Sequence, residues 1–249
     1  MSRRLRQLSL DLRSPARWGG ARPGAGRKRG PRARNAHRRR APISRHHPCH
    51  VTLRVHSDVP SLRSARLVSE FERSLRESCE RGRFRVVHYA LMRDHVHALV
   101  EAASASDLAA GMKSLGSRLA RAVNRVFGRR GAVLADRYHV HVLRTPREVR
   151  AAIAYVLLNA RRHAAKLGRA LTARWRIDPA SSGRWFDGWR GGVPARPACD
   201  VPAVARARSW LLAMGWRRAG LVDPAEVPGR SVRTRGKKTG VAGQRASSL

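Results

Sequence analysis

The run FRVVHYALMRDHVHALVEA, residues 84–102, constrains the fold more than any other stretch. Two apolar, β-branched segments flank Arg93 and Asp94, each too short for a helix of ordinary length, so the run predicts two strands joined by a tight turn. Segments of both periodicities surround it. HVTLRV (His50–Val55) alternates as a strand does. In SLRSARLVSEFERSLRESCERG, Leu67, Phe71, Leu75 and Cys79 recur every four residues, which predicts a helix ended by Gly82. A second helix begins at Ser106 and Asp107 and carries Leu108, Met112, Leu115, Leu119, Val123 and Val126 on one face until Gly128. AVLADRYHVHVLR predicts a fourth strand. Thr145-Pro146-Arg147-Glu148 then has the form of a helix start, with a capping threonine, a proline in the first turn and a glutamate three residues after the cap. The order β-α-β-β-α-β followed by a helix predicts an α+β fold with a ferredoxin-like core. In it an antiparallel sheet carries helices on one face and leaves the other for a ligand.

Charge narrows the partner. A formal net charge of +37, from 53 basic against 16 acidic residues, exceeds what solubility needs, and a phosphate polymer is the partner that compensates it. A GC-rich coding sequence favours arginine over lysine, but it does not explain the scarcity of Asp and Glu. Residues 1–45, rich in Gly, Pro and Arg, read as a flexible basic arm, residues 46–168 as the packed domain, residues 169–229 as a tryptophan-rich extension, and residues 230–249 as a basic disordered tail. In the extension, Trp185, Trp189, Trp210 and Trp216 suit a small core packed on the main domain better than base stacking. Cys49, Cys79 and Cys199 are odd in number and widely spaced, which indicates neither a disulfide framework nor a zinc ribbon and suits a reducing cytoplasm. No apolar run approaches membrane-spanning length, and the arginine-rich start lacks the apolar segment of a signal peptide.

Chemistry rests on two histidines and one helix. His95 and His97 stand two apart on a predicted strand, so both imidazoles project to the same face and form half of a divalent-metal site. His139 and His141 repeat the spacing, and at most one pair is the centre of a site. On the last helix Val149, Ile153, Val156 and Ala160 form an apolar stripe, while Tyr155, Asn159 and His163 recur every four residues on another side. A phenol is a poor nucleophile unless its oxyanion is stabilised, and a phosphodiester needs its charge neutralised before attack. A cation held by histidines beside a tyrosine is therefore a coherent phosphoryl-transfer site. No Walker-type phosphate loop is present, and Asp94, Glu101, Asp107, Asp136 and Glu148 are too scattered for a two-metal carboxylate site.

HYALMRDHVHALVEA, VLADRYH and AYVLLN, in that order, resemble the single-tyrosine HUH transposases and, within them, the REP-associated tyrosine transposases with their IS200-like domain. The resemblance covers roughly residues 46–168. It implies that His95, His97 and Asn159 bind Mg2+ or Mn2+, and that Tyr155 attacks a single-stranded DNA phosphate to leave a 5′-phosphotyrosine. It further implies single-stranded DNA hairpins as partner, with Arg137, Tyr138, Arg161 and Arg162 as DNA contacts, a monomer or homodimer near the bacterial nucleoid, and no small-molecule cofactor. Two departures stand out. Arg93-Asp94 replaces the Pro-Asn that often precedes the histidines, and no proline follows Asn159, where many relatives carry glutamine in place of the asparagine. A non-catalytic nucleic-acid binder of the same fold is the alternative; it requires exposed aromatics on the central strands, where the sequence offers Phe84 and Tyr89. A hydrolase of small phosphoesters is a third possibility.

Overall fold

The computed structural model describes residues 42–168, 177–192 and 200–229. The arm expected over residues 1–45 lies almost wholly outside them, and Cys199 and the tail over 230–249 lie entirely outside. The strands are β1 (Cys49–Arg54), β2 (Glu80–Arg81), β3 (Phe84–Leu91), β4 (His95–Ala102) and β5 (His139–Val142). They form one sheet in the order β2-β3-β4-β1-β5, with every neighbouring pair antiparallel. Setting aside the two-residue β2, this is the ferredoxin-like order that the periodicity predicts. The helices are α1 (Ala65–Arg76), α2 (Ala105–Val126), α3 (Pro146–Leu157), α4 (Asn159–Lys166) and the single turn α5 (Trp210–Ala213).

Two local expectations need correction. The α1 stripe stops before Cys79, whose N–H bonds back to the Leu75 carbonyl at 2.6 Å. The chain then enters β2, and Gly82, at φ 57°, makes the β2–β3 turn rather than ending a helix. The fourth strand is also short. Leu134 makes an isolated bridge to Val55, and regular pairing resumes only at His139, because the chain bends at Asp136, whose carboxylate accepts from the Arg137 N–H at 2.7 Å.

Strand alternation divides the interior in two. Val51, Leu53, Val96, Ala98 and Val100 point to one face and meet Leu67, Phe71, Leu108 and Leu119 of α1 and α2. Leu99 points the other way, into a second cluster built by Val149, Ile153, Val156 and Leu157 of α3. A register shift in β3 turns Val87 toward that second face as well. Each such aliphatic side chain contributes about 1.5–3 kcal/mol on burial, so α3 is fixed on the sheet by its stripe rather than by local propensity. The sheet therefore carries helices on both faces, and the ligand face expected to stand open is partly roofed by α3.

The tryptophan-rich segment completes that roof. Phe186 lies between Trp189 and Trp216, with ring centroids 5.1 and 5.3 Å away, and all three join the α3 cluster with Leu211 and Leu212. Gly188 is required there, since a Cβ would come within 2.1 Å of the Trp216 ring. Trp210, by contrast, is 50% exposed. Beneath α5, the buried Glu101 carboxylate accepts from Arg208 N (2.9 Å), Ser209 N (2.8 Å) and Ser209 Oγ (2.7 Å), and it faces buried Arg85 at 3.3 Å. This clamp ties the segment to β4. Removing the carboxylate leaves a buried guanidinium without one of its anions, so Glu101→Ala is expected to cost about 3–5 kcal/mol in urea unfolding. Glu101→Gln, which keeps an acceptor for Ser209, is expected to cost less.

Candidate metal and nucleophile site

In the β1–β4 ladder Thr52 faces His97 and Arg54 faces His95, with His50 opposite Leu99. Facing residues share a side of the sheet, so His50, Thr52, His95 and His97 make one polar patch. The helix above it starts where the sequence places it. Thr145 Oγ1 accepts from Glu148 N, and the Glu148 carboxylate accepts from Thr145 N, each at 3.2 Å. With Val149, Ile153 and Val156 buried, Tyr155 lies over the histidines: its ring is 5.1 Å from that of His97 and 5.6 Å from that of His50, edge to face in both cases. The Arg162 guanidinium sits 4.9 Å from the Tyr155 ring centre, and the His163 ring is 6.4 Å from that of His95.

The two strand histidines turn their Nε2 atoms toward each other, 3.0 Å apart. Each Nδ1 is held from behind. His95 Nδ1 is 2.7 Å from Asp94 Oδ1, and His97 Nδ1 is 3.1 Å from both Thr52 Oγ1 and His50 Nε2. With both Nδ1 atoms protonated and donating, both Nε2 lone pairs are free and convergent, an arrangement typical of metal-ligating imidazoles. Two ligands about 2.1 Å from one octahedral ion and at right angles lie roughly 3 Å apart, so the spacing fits. Burial holds His97 in its neutral form, its pKa pushed down to about 3, with His50 and His95 adding to the effect. Burial likewise lowers His50 to about 4, helped by His141 and His139. Asp94 is held below the usual carboxylate range by its bond to His95.

A third ligand is less obvious. Among the described residues no three His, Cys, Asp or Glu side chains are grouped to hold a metal. Asn159 is fully buried, and neither its Oδ1 nor its Nδ2 has a hydrogen-bond partner among the described residues. An orphaned amide of this kind costs free energy unless something meets it, and a ligand to its oxygen does so. The break between α3 and α4 leaves the helical ladder intact on either side, from Leu158 N to Ala154 O and from Arg162 N to Leu158 O, so Asn159 stays one turn beyond Tyr155. The donor set of two imidazoles and one amide therefore fits a divalent ion that takes its remaining ligands from water or phosphate.

The structure brings Tyr155, His95, His97 and Arg162 together and separates Arg137, Tyr138 and Arg161 from them. Tyr138 is no strand residue; it is half-buried and packs on the cluster beneath α1 and α2, across the sheet from Tyr155. Arg137 is exposed in the turn before β5, and Arg161 lines a cavity on another side of its helix. His139 and His141 face Thr52 and His50 and so share the site's side of the sheet, but both are exposed. His50, Thr52 and Asp94 are the site residues that sequence reasoning missed. A signal existed: in HVTLRV, period two sets His50 and Thr52 against Val51 and Leu53. Phe84 and Tyr89 are buried on the α1/α2 side, with the Tyr89 hydroxyl donating to Glu72, so the aromatic surface that a stacking module needs is lacking on these central strands.

His88, also buried and lowered to about 4, joins His50 and His97 as histidines that the fold keeps neutral. Their folded pKa values lie below the unfolded value of 6.5, so the unfolded chain takes up protons first. Their contribution to stability is full above that value and is lost as pH falls toward 4 and then 3. Thermal melts between about pH 7.5 and 4.5 should show Tm falling by roughly 5 °C or more, and His88→Asn should flatten the slope.

Residues 44–156 match the family described as IS200-like transposases. No curated protein matches the chain. Among solved structures, a REP-associated tyrosine transposase bound to a REP hairpin is 18% identical, covers 70% of this chain and 100% of its own, and superposes with a TM-score of 0.47. A protein of Deinococcus radiodurans R1 described as a transposase is 16% identical, covers 56% of this chain and 100% of its own, and gives 0.34. The match over residues 44–156, which hold the whole sheet and carry Tyr155 near their end, makes this part of the chain similar to the IS200-like transposases.

Proposed function

We propose that this domain cuts and rejoins single-stranded DNA hairpins of the REP kind, with Tyr155 as nucleophile and His95, His97 and Asn159 as the seat of Mg2+ or Mn2+. The observation that carries the reading is the convergence of the Tyr155 ring on His97 and His50, above two imidazole Nε2 atoms 3.0 Å apart. When bound there, a divalent ion neutralises charge on the scissile phosphate and polarises it.

The side chains define the rest of the reaction. Tyr155 Oη forms a bond to phosphorus while the P–O3′ bond breaks; its electron pair leaves on the 3′ oxygen, which takes a proton from water, and the phenolic proton passes to solvent. The ester energy is retained in the 5′-phosphotyrosine, so an incoming 3′-hydroxyl reverses the step without a nucleotide cofactor. Neutral His50 and His97 supply no positive charge near neutral pH, whereas Arg162 over the phenol ring does. Thr52 and His50 keep His97 in the tautomer whose Nε2 faces its neighbour.

The test is chemical. Wild-type protein, end-labelled hairpin DNA and Mn2+ should give a denaturation-resistant protein–DNA adduct that is absent with Tyr155→Phe and with EDTA. Hairpin binding without adduct in the wild type, across several sequences, returns the protein to the class of non-catalytic binders. Thr52→Val should weaken Mn2+ binding about tenfold, read by electron paramagnetic resonance without DNA, because one acceptor for His97 Nδ1–H is lost.

A further inference from the structure

We infer that the cavity across the helix from Tyr155 is a subsite for one nucleoside monophosphate unit. It encloses about 520 Å³, within the range of small-molecule sites, where the α3–α4 junction meets α1 and the segment from Asp178 to Arg184. At 100° per residue, Leu157, Ala160 and Arg161 project away from Tyr155 and Asn159. The cavity is therefore separate from the histidine patch, about one helix diameter of 10 Å away.

Two guanidinium nitrogens on its lining, the Nε atoms of Arg161 and Arg184, are buried without a hydrogen-bond partner among the described residues. Asp178 is occupied by Arg63 through two bonds of 2.7 and 2.8 Å and by the Ala180 N–H at 3.0 Å. Glu72 accepts from the Tyr89 hydroxyl and from Arg184, each at 2.7 Å. Both wall carboxylates are thus neutralised by their own partners. Arg184 nonetheless has its anions, bonded to Glu72 and with its Nε 3.4 Å from Asp200, whereas the buried Nε of Arg161 has no hydrogen-bond partner among the described residues. A buried donor on a cation left in this way calls for an anionic acceptor, and a phosphate accepts both from Nε–H and from a neighbouring Nη–H. Val68, Leu157, Leu158 and Ala180 give the cavity apolar walls.

A ligand with a flat apolar body and one phosphate meets both requirements, and that is the chemistry of a nucleotide. A larger apolar anion would not use the polar rim of Arg63, Asp178 and Arg184, which can bond to base edges. The unit has two possible sources, a free nucleotide or a nucleotide of the DNA strand that passes Tyr155. The second source rests on the DNA-cleaving reading above, and the first does not.

The experiment uses the full chain and its Arg161→Leu, Ala65→Trp and Tyr155→Phe variants. Ala65, exposed on the cavity wall at the start of α1, allows the space to be filled without changing charge or core. Calorimetry with the four 2′-deoxynucleoside 5′-monophosphates should show at least one binding tenfold more tightly than inorganic phosphate or its nucleoside. Arg161→Leu and Ala65→Trp should each weaken it at least tenfold with unchanged far-UV circular dichroism, and Tyr155→Phe should leave it unaltered. In the strand arm, single-stranded DNA carrying 5-iododeoxyuridine should crosslink near residues 65–69 or 157–161, and Ala65→Trp should abolish that crosslink.

Binding of the free monophosphate without a crosslink assigns the subsite to free nucleotide, and a crosslink without free binding assigns it to the strand. Inorganic phosphate binding as tightly as any monophosphate, or failure of both arms, overturns the inference. Adduct formation through Tyr155 is scored separately, so loss of the subsite and loss of the cleaving activity are distinguishable.

Discussion

The candidate site depends on one register, that between the central strands β1 and β4. Thr52 opposite His97 places a hydroxyl behind an imidazole, and His50, two residues away, comes to the same nitrogen. A slip of one residue would turn Val51 and Leu53 toward the histidines and send His50 and Thr52 into the α1/α2 core. The apolar residues that alternate with the polar ones forbid that slip, because they fill the larger of the two interiors. The geometry of the imidazoles is thus held by hydrophobic burial on the far side of the sheet.

The near side is held in a different way. α3 has an apolar stripe, but the surface it offers to solvent is covered by Phe186, Trp189, Leu212 and Trp216, which arrive from far along the chain. Glu101, on the same strand as His95 and His97, anchors that cover through backbone N–H groups and a buried guanidinium. The acid that looked like a stray carboxylate is a structural tie. One strand therefore carries the paired imidazoles at one end and the attachment of the C-terminal cover at the other.

Burial also divides the electrostatic labour. Desolvation keeps His50 and His97 neutral near pH 7, which suits ligands and tautomer partners and rules them out as fixed cations. Positive charge comes from arginine, whose guanidinium stays protonated where a histidine would not. Arg162 over Tyr155 and Arg161 on the far side of the same helix place such charge on both sides of one element.

The sequence by itself determined the element order, the two histidines on one strand face, the capping box of α3 and the phase of Tyr155 against its apolar stripe, because each is a local pattern of period two or 3.6. The same local logic misjudged the end of α1 and the length of β5, where a two-residue strand and a bend at Asp136 intervene. Asn159 was visible as part of a polar row, but its complete burial was not, since that depends on what the row is packed against. His50 was written in the alternation of β1, yet its meeting with His97 and Tyr155 required the strand order. The roof of tryptophans, the Glu101 tie and the cavity beside Arg161 were decided only by tertiary structure. Each joins residues distant in sequence, and no local periodicity records which surfaces the chain will bring together.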